Sequence, residues 1–395
     1  MALDSGTVVG VVGAGAMGTG IAQVASAAGH KVVLADALPG AVERSRAAIT
    51  KSVAREVEKN RMASADAEAL VSRIDFDTSP LDEELLPYRH CGLVIEAIVE
   101  DLATKRSLMH RLEVTTRNAV LATNTSSLSV TAIASACQSP ERVIGLHFFN
   151  PPPLMPLVEI VPRADGRPPL VDQATGLMRA WGKTPVVASD TPGFIVNRVA
   201  RPFYGESLRI LEEGIADCAT MDWAMRGLGG FRMGPFELMD FIGNDVNYAV
   251  TRSVYDGMFQ DPRYKPSITQ QRLVEAGHLG RKSGRGYYDY TPGAAAPEPR
   301  RDSALGQRVV DRVLAMLMNE AIDAVYMRVA SAADVDLAMT RGVNYPKGLL
   351  AWADELGAST VLERIERLHA DYGEDRYRPS PLLRRVARDG GRFAS

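Results

Sequence analysis

A doubly wound α/β sheet followed by an all-helical part made of two tandem copies is predicted by three features of this sequence. Short β-branched runs alternate with helical stretches up to about Ser189, the pattern of a parallel sheet covered on both faces. A turn with three glycines joins the first run to the first helix. After Thr191 helical periodicity dominates, and a set of residues recurs in a fixed register of 114 positions.

Each element follows from local pattern. Val8 to Val12 is β-branched and uncharged, which reads as a buried parallel strand. Gly13-Ala-Gly-Ala-Met-Gly18 is a turn, and Met17 to Ala28 an alanine-rich helix. Lys31 to Ala35 is a second strand, ending on Asp36. A long basic helical stretch runs from about Ala41 to Arg61. Strand-like runs return at Leu93–Ile95, Ala119–Ala122 and Val143–Leu146, with Val158-Glu-Ile-Val161 on the next strand.

The helical part repeats itself. Asn197-Arg-Val matches Asp311-Arg-Val, Glu206 matches Glu320, and Asp222-Trp-Ala-Met matches Asp336-Leu-Ala-Met. Phe231, Gly234, Asp240 and Gly243 match Tyr345, Gly348, Asp354 and Gly357. After a one-residue slip, Arg263-Tyr-Lys-Pro-Ser matches Arg376-Tyr-Arg-Pro-Ser. Thr291 to Pro299 is rich in Pro, Gly and Ala and lacks an apolar period, as a linker does. The expected domains are therefore 1–189, a first helical copy at 190–290, a linker at 291–303 and a second, degenerate copy at 304–395.

Bulk properties exclude several classes. The 395 residues are 46% hydrophobic and 24% charged, the balance of an ordinary globular protein with more than one domain. A net charge of −3 gives no global attraction to nucleic acid or to an anionic membrane, so neither partner is expected. Cys91, Cys137 and Cys218 are odd in number and far apart, which is no disulfide framework and no zinc site. They suit a reducing compartment, and a cytoplasmic location is expected. The six histidines show no metal-ligand spacing, and no metal is expected. Thr7 to Gly29 lacks charge and approaches the length of a membrane span. Its six glycines fit a strand, a turn and a buried helix better. The N-terminus has no basic region ahead of an apolar core, so no secretion signal is expected.

The glycine turn points to a dinucleotide. Gly13 permits the tight turn, Gly15 lets backbone approach a pyrophosphate, and Gly18 lets helix pack on strand. Ala16 and Met17 open a helix whose free N–H groups face the phosphates. Asp36 would accept hydrogen bonds from ribose hydroxyls and repel a 2′-phosphate, which favours NAD over NADP. Further on, Asn124-Thr-Ser-Ser127 follows one strand run, and Gly145-Leu-His-Phe-Phe-Asn-Pro151 follows another. His147 reads as a histidine in a loop at a strand end, where the cleft of an open parallel sheet lies. Removing hydride from an alcohol needs a base for the hydroxyl proton, and histidine titrates in the useful range. Glu159 on the next strand could hold its far ring nitrogen. A packed histidine in a structural loop is the competing reading.

Taken together, the strand with its glycine turn, Asn124-Thr-Ser-Ser127, Gly145-Leu-His-Phe-Phe-Asn-Pro151, Val158-Glu-Ile-Val161 and Thr191-Pro-Gly-Phe-Ile-Val-Asn-Arg198 resemble the 3-hydroxyacyl-CoA dehydrogenase family over nearly the whole chain. The resemblance implies a Rossmann-type NAD domain, a helical domain, and oxidation of an L-3-hydroxyacyl-CoA substrate. It implies His147 as base with Glu159 as partner, and Ser126 and Asn197 as residues that orient the substrate. Ala97, Glu100, Lys105, Asn124, Ser126, Asn150 and Lys282 match cofactor contacts. Ser52 and Lys59 match positions that touch coenzyme A. Lys51, Arg55 and Lys59 recur every four residues, so one helix face would be basic, either for coenzyme A or as a solvated stripe.

A closer likeness is to the long, two-repeat branch of the family, which acts on 3-hydroxyadipyl-CoA or 3-hydroxybutyryl-CoA in bacterial phenylacetate degradation. Arg198-Val-Ala-Arg-Pro-Phe-Tyr204, Gly342-Val-Asn-Tyr-Pro346 and Tyr372-Gly-Glu-Asp-Arg-Tyr-Arg-Pro379 carry it. Longer relatives have extra sequence between the repeats, where this chain has only a short linker. A 3-hydroxybutyryl-CoA enzyme of fatty-acid, butanoate or storage-polymer metabolism stays open, as does a sugar-acid dehydrogenase or a non-catalytic relative. Relatives acting on plain acyl chains tend to have an aliphatic residue where this chain has Arg201. That arginine is read as a grip for a distal carboxylate. Pro202 argues against a helical Arg201, and Glu206 offers it a plain surface pair. The chain is expected to be either a monomer with an internal pseudo-dimer or a homodimer.

Overall fold

The computed structural model describes residues 3–79, 85–166 and 168–394. The chain divides into two compact units, Met1–Thr191 and Pro192–Ser395. Each is taken by itself.

The first unit is built on eight strands: β1 (Val9–Val12), β2 (Val32–Ala35), β3 (Ile74–Asp77), β4 (Leu93–Glu96), β5 (Val120–Thr123), β6 (Val143–Phe148), β7 (Leu157–Val161) and β8 (Thr184–Val187). They lie in the order β3-β2-β1-β4-β5-β6-β7-β8. The first six are parallel in the 3-2-1-4-5-6 order of a Rossmann-type sheet. Every residue of β1, β4, β5, β6 and β7 is buried, as a sheet with helices on both faces requires. Val9, Val11 and Ile95 pack to one side with the helices Ala16–Ala27 and Ala41–Glu58. Val12, Val94 and Leu121 pack to the other with Met109 and Leu112 of the helix Leu102–Thr116.

The sheet departs from the all-parallel expectation at one place. β7 runs antiparallel to β6, and β8 follows β7 in parallel. The connection from Phe148 to Leu157 explains it: a parallel crossover needs a dozen or more residues, and this link is shorter. The helix Pro168–Ala180 then gives β7 to β8 the longer crossover that a parallel pair needs. β3 and β8, less apolar than the other strands, have no counterpart in the strand runs read from sequence.

The second unit is all-helical apart from isolated bridges around Arg285, among the described residues. Its first copy contains Val196–Val199, Arg201–Glu212, Cys218–Gly227, Pro235–Ile242, Asn244–Gly257 and Ile268–Glu275. The second contains Ser303–Tyr326, Ala332–Gly342, Leu349–Leu356, Ala358–Tyr372 and Pro381–Asp389. The repeated aspartates and glycines have one physical reason. Asp222 accepts the backbone N–H groups of Phe236 and Glu237 at 2.9 Å each, and Asp336 accepts those of Leu350 and Ala351 at 2.7 and 3.0 Å. A Cβ on Gly234 or Gly348 would stand 2.3 Å from the aspartate. The copies differ at Arg201-Pro202. The proline's missing N–H and its ring interrupt the helix after Val199, whereas Ala315-Met316 leaves Ser303–Tyr326 unbroken.

The copies meet through reciprocal ion clusters. Arg198 donates to Glu320 at 2.7 Å and Asp323 at 3.2 Å, and Tyr264 donates to Glu320 at 2.6 Å. In mirror fashion Arg312 donates to Glu206 at 3.0 Å, and Tyr377 donates to Glu206 at 3.0 Å. Each residue of one copy meets the repeat mate of its own partner, which is the signature of an isologous, two-fold interface. Arg312 also reaches Glu213 at 2.7 Å, and Arg263 reaches Asp323 at 2.9 Å. No described helix is long and apolar enough to cross a membrane.

Removing one partner of a buried pair strands the other charge. Arg312→Met and Arg198→Met are each expected to cost about 3–5 kcal/mol, read from denaturant midpoints. A loss of only ~0–1 kcal/mol, as for a surface pair, would show that the clusters do not hold the copies together.

Candidate active site

The glycine turn is shaped as its residues dictate. Gly13 has φ +102°, and a Cβ there would come 2.7 Å from the Ala97 carbonyl oxygen. A Cβ on Gly18 would overlap the Gly13 carbonyl at 1.8 Å, so strand and helix pack only with glycine. Gly15 has no atom within 4 Å of its would-be Cβ. Nothing in the protein demands glycine at that position; a ligand brought against the backbone does. Asp36 ends β2 and accepts from the Ala14 N–H at 2.6 Å and the Leu38 N–H at 2.7 Å. Its carboxylate fixes the turn and keeps lone pairs for ribose hydroxyls. Ala16 and Met17 begin the helix beyond, and the donor set fits a dinucleotide.

Next to the turn lies a charge cluster, buried at Glu96 and Lys105 and open to solvent at Glu100. Glu96, at the end of β4, accepts from Thr123 Oγ1 at 2.7 Å and the Ile98 N–H at 2.8 Å, and pairs with Lys105 Nζ. Lys105 also lies 3.3 Å from Glu100. Glu100 in turn accepts from Thr125 Oγ1 at 2.6 Å, the Ser126 N–H at 2.9 Å and the Ser127 N–H at 3.1 Å. Burial works against its charge, but Lys105 and these donors hold its carboxyl below the usual glutamate value. Lys105, expected at the cofactor, is buried, and its ammonium meets the Glu96 and Glu100 carboxylates. Glu96 escaped the sequence reading. Its signal was a lone acid ending the apolar run Leu93-Val-Ile-Glu96.

His147 and Glu159 face each other across the antiparallel β6–β7 pair. His147 Nδ1 and Glu159 Oε2 are 2.6 Å apart, with Glu159 fully buried. The carboxylate fixes the tautomer with the proton on Nδ1, which leaves Nε2 as the basic nitrogen. His147 stands within the strand and not in a loop, because pairing with β7 carries β6 two residues past Leu146. Asn124 Oδ1 accepts the Phe148 N–H at 2.8 Å and ties the Asn124–Ser127 loop to that strand. Asn150, just beyond, is exposed.

Ser52 is half-buried and accepts from Gln23 Nε2 at 3.3 Å. Lys51 and Arg55 are exposed on the helix Ala41–Glu58. That helix stops before the expected Arg61, so Lys59 sits just past it as its cap, 3.8 Å from Glu56. In the second unit, Lys282 pairs with Asp245 at 2.6 Å. Arg201 is buried and donates to the Asn197 carbonyl at 2.7 Å.

A glycine-turn sheet carrying a histidine–carboxylate pair defines a dinucleotide-dependent dehydrogenase. The sequence matches the 3-hydroxyacyl-CoA dehydrogenase NAD binding domain over residues 8–191 and the C-terminal domain of the same enzymes twice, over 193–290 and 309–393. The chain belongs to the 3-hydroxyacyl-CoA dehydrogenase family and is an NAD-dependent oxidoreductase. It is 38% identical to the 3-hydroxyadipyl-CoA dehydrogenase of Escherichia coli (strain K12), over 96% of this chain and 97% of that one. It is 39% identical to a probable 3-hydroxybutyryl-CoA dehydrogenase of Deinococcus radiodurans, over 71% of this chain and 99% of that one. A crystal structure of 3-hydroxybutyryl-CoA dehydrogenase from Escherichia coli K12 superposes with a TM-score of 0.90 at 36% identity, covering 98% of each chain.

Glu100 gives a pH test. Its folded-state pKa lies below the ordinary value, so its contribution is present above that value and lost as pH falls through the folded one. The Tm gap between wild type and Glu100→Gln is expected to be widest near neutrality and to close below about pH 4. A gap independent of pH would mean that the charge does not hold the loop.

Proposed function

We propose that this chain oxidises the 3-hydroxyl of an L-3-hydroxyacyl-CoA to the 3-oxo group, with His147 as base. The observation that carries the reading is the His147–Glu159 pair at 2.6 Å. NAD, when bound, supplies the acceptor for the hydride leaving C3. His147 Nε2 takes the hydroxyl proton, and Glu159 stabilises the imidazolium that results. Ser126 and Asn197 are assigned to the reacting oxygen by their places in the family's motifs. Glu100, Asn124, Asn150 and Lys282 are assigned to the cofactor side in the same way. The exposure of Lys51, Arg55 and Lys59 leaves them accessible to the anionic part of coenzyme A. The whole-length Escherichia coli relative supports 3-hydroxyadipyl-CoA as substrate, in aromatic degradation; the shorter relatives support 3-hydroxybutyryl-CoA as the second candidate.

The second helical copy is read as catalytically silent. Asp311 stands where the first copy has Asn197, and it meets Gln307 at 2.9 Å and Arg364 at 3.1 Å. The reciprocal clusters support a second copy that takes the place of a partner subunit's module, so that the chain works as a monomer.

His147→Asn is expected to lower turnover ~10²–10⁴-fold while NADH still binds. Near wild-type turnover would remove His147 from the mechanism. Glu159→Gln should slow turnover and move the pH profile. NADH titration should give one site per chain, and sedimentation a single chain; two independent sites would refute the silent copy.

A further inference from the structure

Arg201 is a buried cation without a buried anion. It is 6% exposed, and among the described residues no carboxylate lies within ion-pair distance. Glu206, the partner its sequence position suggested, is engaged by Arg209, Arg312 and Tyr377. The guanidinium Nε donates to the Asn197 carbonyl at 2.7 Å, and one terminal nitrogen donates to Thr251 Oγ1 at 3.0 Å. The Tyr204 ring lies beneath it at 4.9 Å. Tyr345 is within electrostatic reach, and its buried hydroxyl has no hydrogen-bond partner among the described residues. Burial pulls the pKa of Arg201 below the ordinary arginine value, which reports an uncompensated charge.

The internal repeat is a control for whether the fold needs these groups. In the same register, Arg201 corresponds to Ala315, Tyr204 to Met318, Thr251 to Ile365, and Tyr345 to Phe231. Ala315, Met318, Ile365 and Phe231 are all buried. The polar chain continues in the first copy, where Gln270 Nε2 donates to Asn247 Oδ1 at 3.1 Å. Its mates are the buried Val361 and Leu383. The place around Ala315 is thus filled with hydrocarbon, whereas the place around Arg201 holds an arginine, hydroxyls and amides, with the Tyr345 hydroxyl supplied by the second copy. Where the helix runs unbroken the frame folds with hydrocarbon; where it breaks at Arg201-Pro202, Arg201 Nε meets the Asn197 carbonyl, one terminal nitrogen meets Thr251, and the rest of the guanidinium is left for another acceptor.

We propose that Arg201, positioned by Thr251 and joined by the Tyr345 hydroxyl, forms a subsite for a carboxylate at the far end of the acyl chain and makes the enzyme selective for dicarboxylic 3-hydroxyacyl-CoA. The proposal rests on the dehydrogenase reading and on the assignment of Asn197 to the reacting oxygen. The guanidinium is hydrogen-bonded to the main-chain carbonyl of Asn197. In a six-carbon diacid the terminal carboxyl carbon is three C–C bonds of about 1.5 Å from the carbon that bears the hydroxyl. A group anchored at Asn197 is therefore the right neighbour for that carboxylate. One guanidinium beside a neutral tyrosine hydroxyl matches a single negative charge and a planar acceptor, while Thr251, whose hydroxyl already donates to the Asn247 carbonyl at 3.0 Å, holds the guanidinium in place. A coenzyme A phosphate, with more charge, calls for more than one cation, and no second one lies among these contacts.

The test compares kcat/KM for 3-hydroxyadipyl-CoA, 3-hydroxyhexanoyl-CoA of the same chain length, and 3-hydroxybutyryl-CoA. Wild type is expected to favour the diacid over the hexanoyl substrate by ~10²-fold, the scale of a desolvated charge pair. Arg201→Leu should lower kcat/KM for the diacid ~10²-fold more than for either monoacid, mainly through KM. The double variant Arg201→Ala, Thr251→Ile, which carries the second copy's own residues, should do the same, with thermal unfolding to verify its fold. A wild type that does not prefer the diacid, or an equal loss on all three substrates, overturns the subsite. Equal loss would make Arg201 a structural or coenzyme A contact. No NAD-linked turnover of any of the three would instead overturn the dehydrogenase reading itself.

Discussion

Charge taken out of water must be met by opposite charge or by hydrogen bonds, and much of this molecule is arranged around that constraint. Glu159 is fully buried and meets His147 across two strands. Lys105 lies between Glu96 and Glu100, and Glu100 gathers the Thr125–Ser127 loop around itself. Arg198 and Arg312 lock the two helical copies through each other's glutamates. In each case the ion pair sets where a loop or an element can lie. Arg201 stands out against this background because its guanidinium is buried under the same conditions without an acid.

The repeat separates what a helical frame needs from what chemistry adds. Both copies keep the aspartate that caps the helix at Pro235 or Leu349, and the glycine that makes room for it. Both keep the arginine, glutamate and tyrosine of the shared interface. These residues serve backbone satisfaction and packing, so both copies need them. Among the residues that differ are those of the inner polar chain from Arg201 to Gln270. Buried hydrocarbon stands in its place in the second copy.

The sequence by itself determined the glycine turn, most of the strands, the helical repeat and the identity of the histidine and its glutamate. These depend on short-range backbone sterics, on periodicity and on motifs that keep their spacing. It was silent on β3 and β8, whose runs are less apolar. It was also silent on Glu96, whose role exists only because Lys105 and Thr123 arrive from other elements. Only the tertiary structure decided that β7 reverses direction, which puts Glu159 opposite His147 and draws that histidine into the strand. Only it decided that Lys105 faces carboxylates, and that Glu206 turns to Arg312 and leaves Arg201 without an acid. The physical reason is common to all of these. Which charge a buried charge meets depends on which elements pack together, and sequence proximity does not report that.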